Sequence, residues 1–125
     1  MKLKNVTVML EAENLKETVE FYTTLLGFKC VSTYPNTGEA CWACVVKDAV
    51  ELMFTSRNAH STIEKTTMTG SLYFYPDDVN TLWEELKDKV IVEYPIENFD
   101  YGMREFAVRD CNGYLLQFGQ EVPGR

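Results

Sequence analysis

Gly102-Met103-Arg104-Glu105-Phe106-Ala107-Val108-Arg109-Asp110-Cys111-Asn112-Gly113-Tyr114-Leu115-Leu116-Gln117-Phe118 decides how the chain is read. Two β-rich runs, Met103 to Arg109 and Tyr114 to Gly119, flank Asn112-Gly113, the strongest hairpin signal in the sequence. Within the second run Leu116 and Phe118 fall on one face, and Leu115 and Gln117 on the other. A slip of one residue would carry Gln117 into an apolar core, which is costly for an amide without partners. Upstream, Val90 to Tyr94 reads as another strand. Before it, Asp77 or Asp78 caps a helix with Val79, Leu82, Trp83 and Leu86 on one face, and Ser71 to Tyr75 alternates as a strand.

The same order is written once before. Asn5 to Glu11 alternates as an opening strand, Asn14 with Glu17 resembles a capping box, and Leu15, Val19, Tyr22, Leu25 and Leu26 recur at helical spacing until Gly27 stops the helix. Three β-rich runs follow, Lys29 to Tyr34, Ala40 to Lys47 and Val50 to Thr55, separated by Pro35-Asn36-Thr37-Gly38 and Lys47-Asp48-Ala49. Asn14 and Asp78 lie 64 residues apart, and the same shift carries Thr7 onto Ser71. The predicted fold is therefore α+β, built of two β-α-β-β-β modules over about residues 1–56 and 70–121. A polar, unpatterned linker, 57–69, joins them and contains the only histidine, His60. One face of each sheet is covered by its helix, and the other must meet a second copy, its twin or a ligand.

At 125 residues with 46% hydrophobic side chains, the chain has the size and composition of one domain with a real core. Twelve basic against nineteen acidic residues give a net charge of −7 without any basic cluster, which argues against nucleic acid and anionic membranes as partners. No apolar stretch approaches the roughly 18 residues of a membrane span, and no signal-peptide core develops, so a cytoplasmic location is expected. Cys41-Trp42-Ala43-Cys44 has redox or zinc spacing but lacks a second pair; residues three apart on a strand point to opposite faces, so these are read as strand cysteines.

Phe21-Tyr22-x-x-Leu25-Leu26-Gly27-Phe28 and the stretch Gly102 to Phe118 resemble the two most recognisable segments of the vicinal oxygen chelate superfamily, which includes glyoxalase I, extradiol dioxygenases, fosfomycin-modifying enzymes and bleomycin-resistance proteins. The resemblance covers nearly the whole chain, with Asp110-Cys111 standing where the family usually has Asp-Pro. It implies curved mixed sheets around a cavity with helices on the outer face, and a homodimer. It also implies that the family's metal-ligand positions, on the first and last strand of each half, correspond to Thr7, Glu51, Ser71 and Gln117. Of these only Glu51 is a good donor for a divalent ion. The scaffold is thus expected without a metal, a cofactor or a catalytic residue.

In that register Met9, Glu11, Met53, Tyr73, Tyr75, Glu105 and Leu115 join Thr7, Glu51, Ser71 and Gln117 on the cavity side, and Trp42 fits in one of two registers. Glu51 is expected either to pair with Gln117 or Ser71 or to await a ligand. An oxyanion would need Arg104, Arg109 or backbone donors. Phe21, Tyr22, Trp83 and Phe106 are assigned to the core or a dimer seam. Aromatic faces with carboxylates suit a planar or cationic small molecule. The expected function is metal-independent binding of such a molecule, similar to bleomycin-resistance proteins. The alternative is a metal-dependent glyoxalase-like lyase, isomerase or dioxygenase.

Overall fold

The computed structural model describes residues 1–57 and 63–123, so His60 lies outside the described residues. The chain divides into two compact units, Met1–Thr66 and Thr67–Arg125. In the first, strand β1 (Val8–Ala12) leads to helix α1 (Leu15–Glu20), and β2 (Lys29–Tyr34), β3 (Trp42–Lys47) and β4 (Val50–Ser56) follow. In the second, β5 (Leu72–Phe74) leads to α2 (Val79–Leu86), then β6 (Ile91–Asn98), β7 (Met103–Arg109) and β8 (Leu115–Glu121). Each unit is a four-stranded mixed sheet, in the orders β1-β4-β3-β2 and β5-β8-β7-β6. The opening strand pairs parallel with the closing one, and the remaining pairs are antiparallel.

The duplicated caps do the same work in both units. Asn14 Oδ1 accepts from the Glu17 amide at 3.0 Å, and Asp78 Oδ1 from the Thr81 amide at 3.1 Å, each satisfying an amide that the first helical turn leaves unpaired. The first helix differs from the single run expected. After Glu20 the chain widens into a π turn over Phe21–Leu25, ended by Gly27 at φ +75. That turn keeps Tyr22 fully buried between Phe28 and Phe54, with ring centroids 5.7 and 4.8 Å away.

Leu52 and Phe54 on β4, and Leu116 and Phe118 on β8, are buried, as the alternation requires of the face each helix covers. In the second unit Phe118 stacks between Phe106 and Phe74, both at 5.1 Å, and Trp83 of α2 leans on Phe106 at 5.1 Å. Fully burying a side chain of this size stabilises by about 1.5–3 kcal/mol.

The Asn112-Gly113 turn is built on Asp110, whose Oδ1 accepts from the amides of Asn112 at 2.8 Å and Tyr114 at 2.9 Å. Gly113 at φ +84 takes a conformation that a side chain would resist. Asp110→Ala should cost about 1–2 kcal/mol, read as a lower urea midpoint at unchanged slope; an unchanged midpoint would show that the glycine alone sets the turn.

The region expected to be a polar linker is in part tied to the first unit. Arg57 makes ion pairs with Glu11 at 3.5 Å and Glu13 at 3.1 Å, and donates to the carbonyls of Glu64 and Ile63.

Candidate functional site

In each unit the strand residues singled out by alternation share the sheet face opposite the buried core, while Thr7 and Ser71 stand one residue before β1 and β5 and Tyr75 one residue after β5. On the first sheet, cross-strand pairing sets Met9 beside Met53, Met53 beside Cys44, and Thr55 beside Trp42, so Trp42 takes the open-face register. Cys41 precedes the strand and is exposed, while Cys44 lies within it, buried on the open face. Glu51 is exposed and accepts from the Thr7 hydroxyl at 3.1 Å and the Cys44 thiol at 3.5 Å. Both of these partners lie in its own unit; the sequence alone leaves Glu51 either to pair with Gln117 or Ser71 or to await a ligand. Burial first, and then the bond to Glu51, push the Cys44 thiol up from its ordinary value.

The open face of the second sheet is organised by Glu105. Its side chain is fully buried, beneath the aromatic wall on which the sequence had set it. Tyr73 donates to Oε1 at 2.7 Å, Tyr94 donates to Oε2, Tyr101 also bonds the carboxylate, and the Gln117 amide reaches Oε2 at 3.5 Å. Burial disfavours the Glu105 charge; the four hydrogen bonds outweigh it and hold the pKa below the usual carboxylate value. Burial, reinforced by the neighbouring carboxylate, pushes Tyr94 up to about 12 and raises Tyr73 and Tyr101 as well.

Gln117 donates to Tyr94 at 2.8 Å, which turns its carbonyl oxygen toward Ser71, whose hydroxyl donates to it. Tyr75 packs on Tyr73 with centroids 5.0 Å apart, and Leu115 is half-buried opposite Arg109. Arg109 is held by a bidentate pair with Glu93 at 2.9 and 3.1 Å, and Arg104 donates to the side-chain oxygens Oδ1 of Asn80 at 2.7 Å and of Asn98 at 3.1 Å.

Tyr94 and Tyr101 are the members of this network that the pattern of alternation did not reveal. The β6–β7 pairing shifts register between Val92 and Tyr94, setting Val92 opposite Val108 but Tyr94 opposite Ala107. A bulge of this kind reverses the face that strict alternation assigns. Tyr101 sits in the turn before β7, closed by the Gly102 amide donating to the Phe99 carbonyl at 3.1 Å.

Thr7 with Glu51, and Ser71 with Gln117, are thus hydrogen-bonded pairs within their own units. Between them they supply one carboxylate, a weak donor set for a divalent ion, whose sites are dominated by imidazole, thiolate and carboxylate. Among the described residues no three His, Cys, Asp or Glu side chains converge as a metal would require. The residues present do not fit the metal that the fold family implies. No described helix is long and apolar enough to cross a membrane.

The family model of the Glyoxalase/Bleomycin resistance protein/Dioxygenase superfamily matches residues 6–118. No curated protein matches the chain. Among solved structures, it is similar to TioX from Micromonospora sp. ML1, with a TM-score of 0.77 at 17% identity over 95% of this chain and 99% of that one. A glyoxalase/bleomycin resistance protein/dioxygenase from Nocardioides gives 0.78 at 17% identity over 100% and 87%. Lactoylglutathione lyase from Agrobacterium tumefaciens gives 0.68 at 18% identity over 96% of each chain. At these identities the likeness establishes the fold alone.

Proposed function

The chain belongs to the glyoxalase/bleomycin resistance protein/dioxygenase superfamily, and from that premise we propose that it binds a small aromatic or cationic molecule on the open sheet faces without a catalytic metal. The observation that carries this reading is the internal pairing at the family's metal-ligand positions. Thr7 spends its hydroxyl proton on Glu51, and Ser71 spends its own on Gln117. What these faces offer a ligand is a partly exposed carboxylate beside Met9, Met53 and Trp42 on one sheet, and tyrosine rings on the other. Soft and aromatic surface with negative charge favours a flat or cationic guest through dispersion and cation–π attraction, each cation–aromatic contact contributing about 0.5–2 kcal/mol. We further propose a cytoplasmic homodimer, with no nucleic acid or membrane among its partners.

The test is metal content after chelator-free purification, together with titration of the planar cation acridine orange. Sub-stoichiometric metal and saturable dye binding are expected, and Glu51→Gln should weaken the dye about fivefold to tenfold with the thermal midpoint nearly unchanged. One tightly held ion per chain, or no saturable dye binding, would overturn the reading, and dye affinity indifferent to Glu51 would remove Glu51 from it.

A further inference from the structure

Within the second unit, the ends of β5 and β8 and the turn before β7 enclose a groove of about 860 Å³. Tyr75 and Tyr101 line it and are 77% and 60% exposed. Met103 adds a polarisable thioether, and the charged side chains of the lining are Asp77 and Glu121, both acidic. Arg104 lies in the adjoining depression, engaged by Asn80 and Asn98.

Both exposed rings are braced from behind by one buried group. Tyr75 rests on Tyr73, whose hydroxyl is bound to Glu105. Tyr101 stacks on Phe99 at 5.5 Å and 12° and also bonds Glu105. Ordered aromatic surface binds with little loss of side-chain freedom, because its rotamers are already fixed. With its proton committed to Glu105, the Tyr101 hydroxyl has no donor left for a ligand, and what its ring adds to the groove is aromatic surface. Aromatic surface beside carboxylates suits a cation, and quaternary ammonium groups are the cations such rings characteristically hold.

We propose that this groove is a binding site for a quaternary ammonium group, with Tyr75 and Tyr101 supplying the aromatic faces, Asp77 and Glu121 the field, and Glu105 acting as a positioning residue through the tyrosines. The proposal rests on the metal-independent binding reading and adds a ligand class and a second location to it. The probe is choline, titrated calorimetrically against its neutral isostere in which a tert-butyl group replaces trimethylammonium. Saturable choline binding is expected, with the isostere at least about tenfold weaker and Tyr75→Leu and Tyr101→Leu each weakening choline about fivefold. Tyr101→Phe, which keeps the ring but frees it from Glu105, should fall between wild type and Tyr101→Leu, a gradation that a merely structural role would not give.

Equal affinity for the isostere, absence of choline binding, or indifference to both leucine variants would overturn the site. Choline binding that depends on Glu51 and not on the tyrosines would also overturn it, while leaving the broader reading in place. Acridine orange binding indifferent to Glu51, with tyrosine-dependent choline binding intact, would instead remove the Glu51 reading and sustain the groove.

Discussion

Replacing Glu105 by alanine is expected to lower the unfolding free energy by about 3–5 kcal/mol, since three tyrosine hydroxyls and the Gln117 amide lose their common acceptor and a cavity opens where the side chain is fully buried. Glu105→Gln retains the volume and one acceptor oxygen and should recover part of the loss. A cost below about 1 kcal/mol would mean that the hydroxyls find water instead. The same network sets the pH response from both ends. The carboxylate's folded pKa is depressed, so its contribution is complete above the unfolded value of about 4.3 and disappears as pH falls through the folded one. The tyrosines' folded pKa values are raised, so their contribution is complete below about 10 and disappears as pH rises through the folded values. An alkaline absorbance titration should show these tyrosines ionising late, and Glu105→Ala should move that group toward ordinary values.

Gly119→Ala is expected to cost about 2–3 kcal/mol although its φ is not in the left-handed region and its backbone is open to any residue. A β-carbon there would stand 2.0 Å from the Tyr73 hydroxyl oxygen and 2.7 Å from the ring carbon that bears it. The ring is fixed by Glu105 on one side and Tyr75 on the other, so yielding means breaking the Tyr73–Glu105 bond. Tyr73→Phe in the same chain removes the nearest clashing atom, and the two substitutions together should cost less than their sum. Full additivity in chemical denaturation would show that Tyr73 swings aside freely.

The fold was open to reading because the local signals agree with one another. Asn14 and Asp78 both cap, Gly27 and Gly113 both turn, and the apolar half of each alternation is buried behind a helix. Alternation set Thr7, Glu51, Ser71 and Gln117 at matching places in the two units, but it did not show that Thr7 pairs with Glu51 and Ser71 with Gln117, because Thr7 and Ser71 sit just before β1 and β5, outside the paired register. What the pattern could not supply was the position of Tyr94, moved to the other face by a bulge, and of Tyr101, held in a turn with no periodicity. Nor did it separate an exposed carboxylate from a buried one. Glu51 and Glu105 are both acids on open faces, and only the tyrosines that converge on Glu105 from β5, β6 and the following turn distinguish them.

In each unit the first strand to leave the ribosome is hydrogen-bonded to the last one made. Val8 pairs with Leu52, and Leu72 with Leu116, while the strands between them form a meander of sequence neighbours. Meanders need only short loops to close, whereas the parallel strand must wait for the slow search over a long intervening chain. Thr7 and Ser71 sit at the mouths of those late-docking strands, so their bonds to Glu51 and Gln117 belong to the closing step of each unit's assembly.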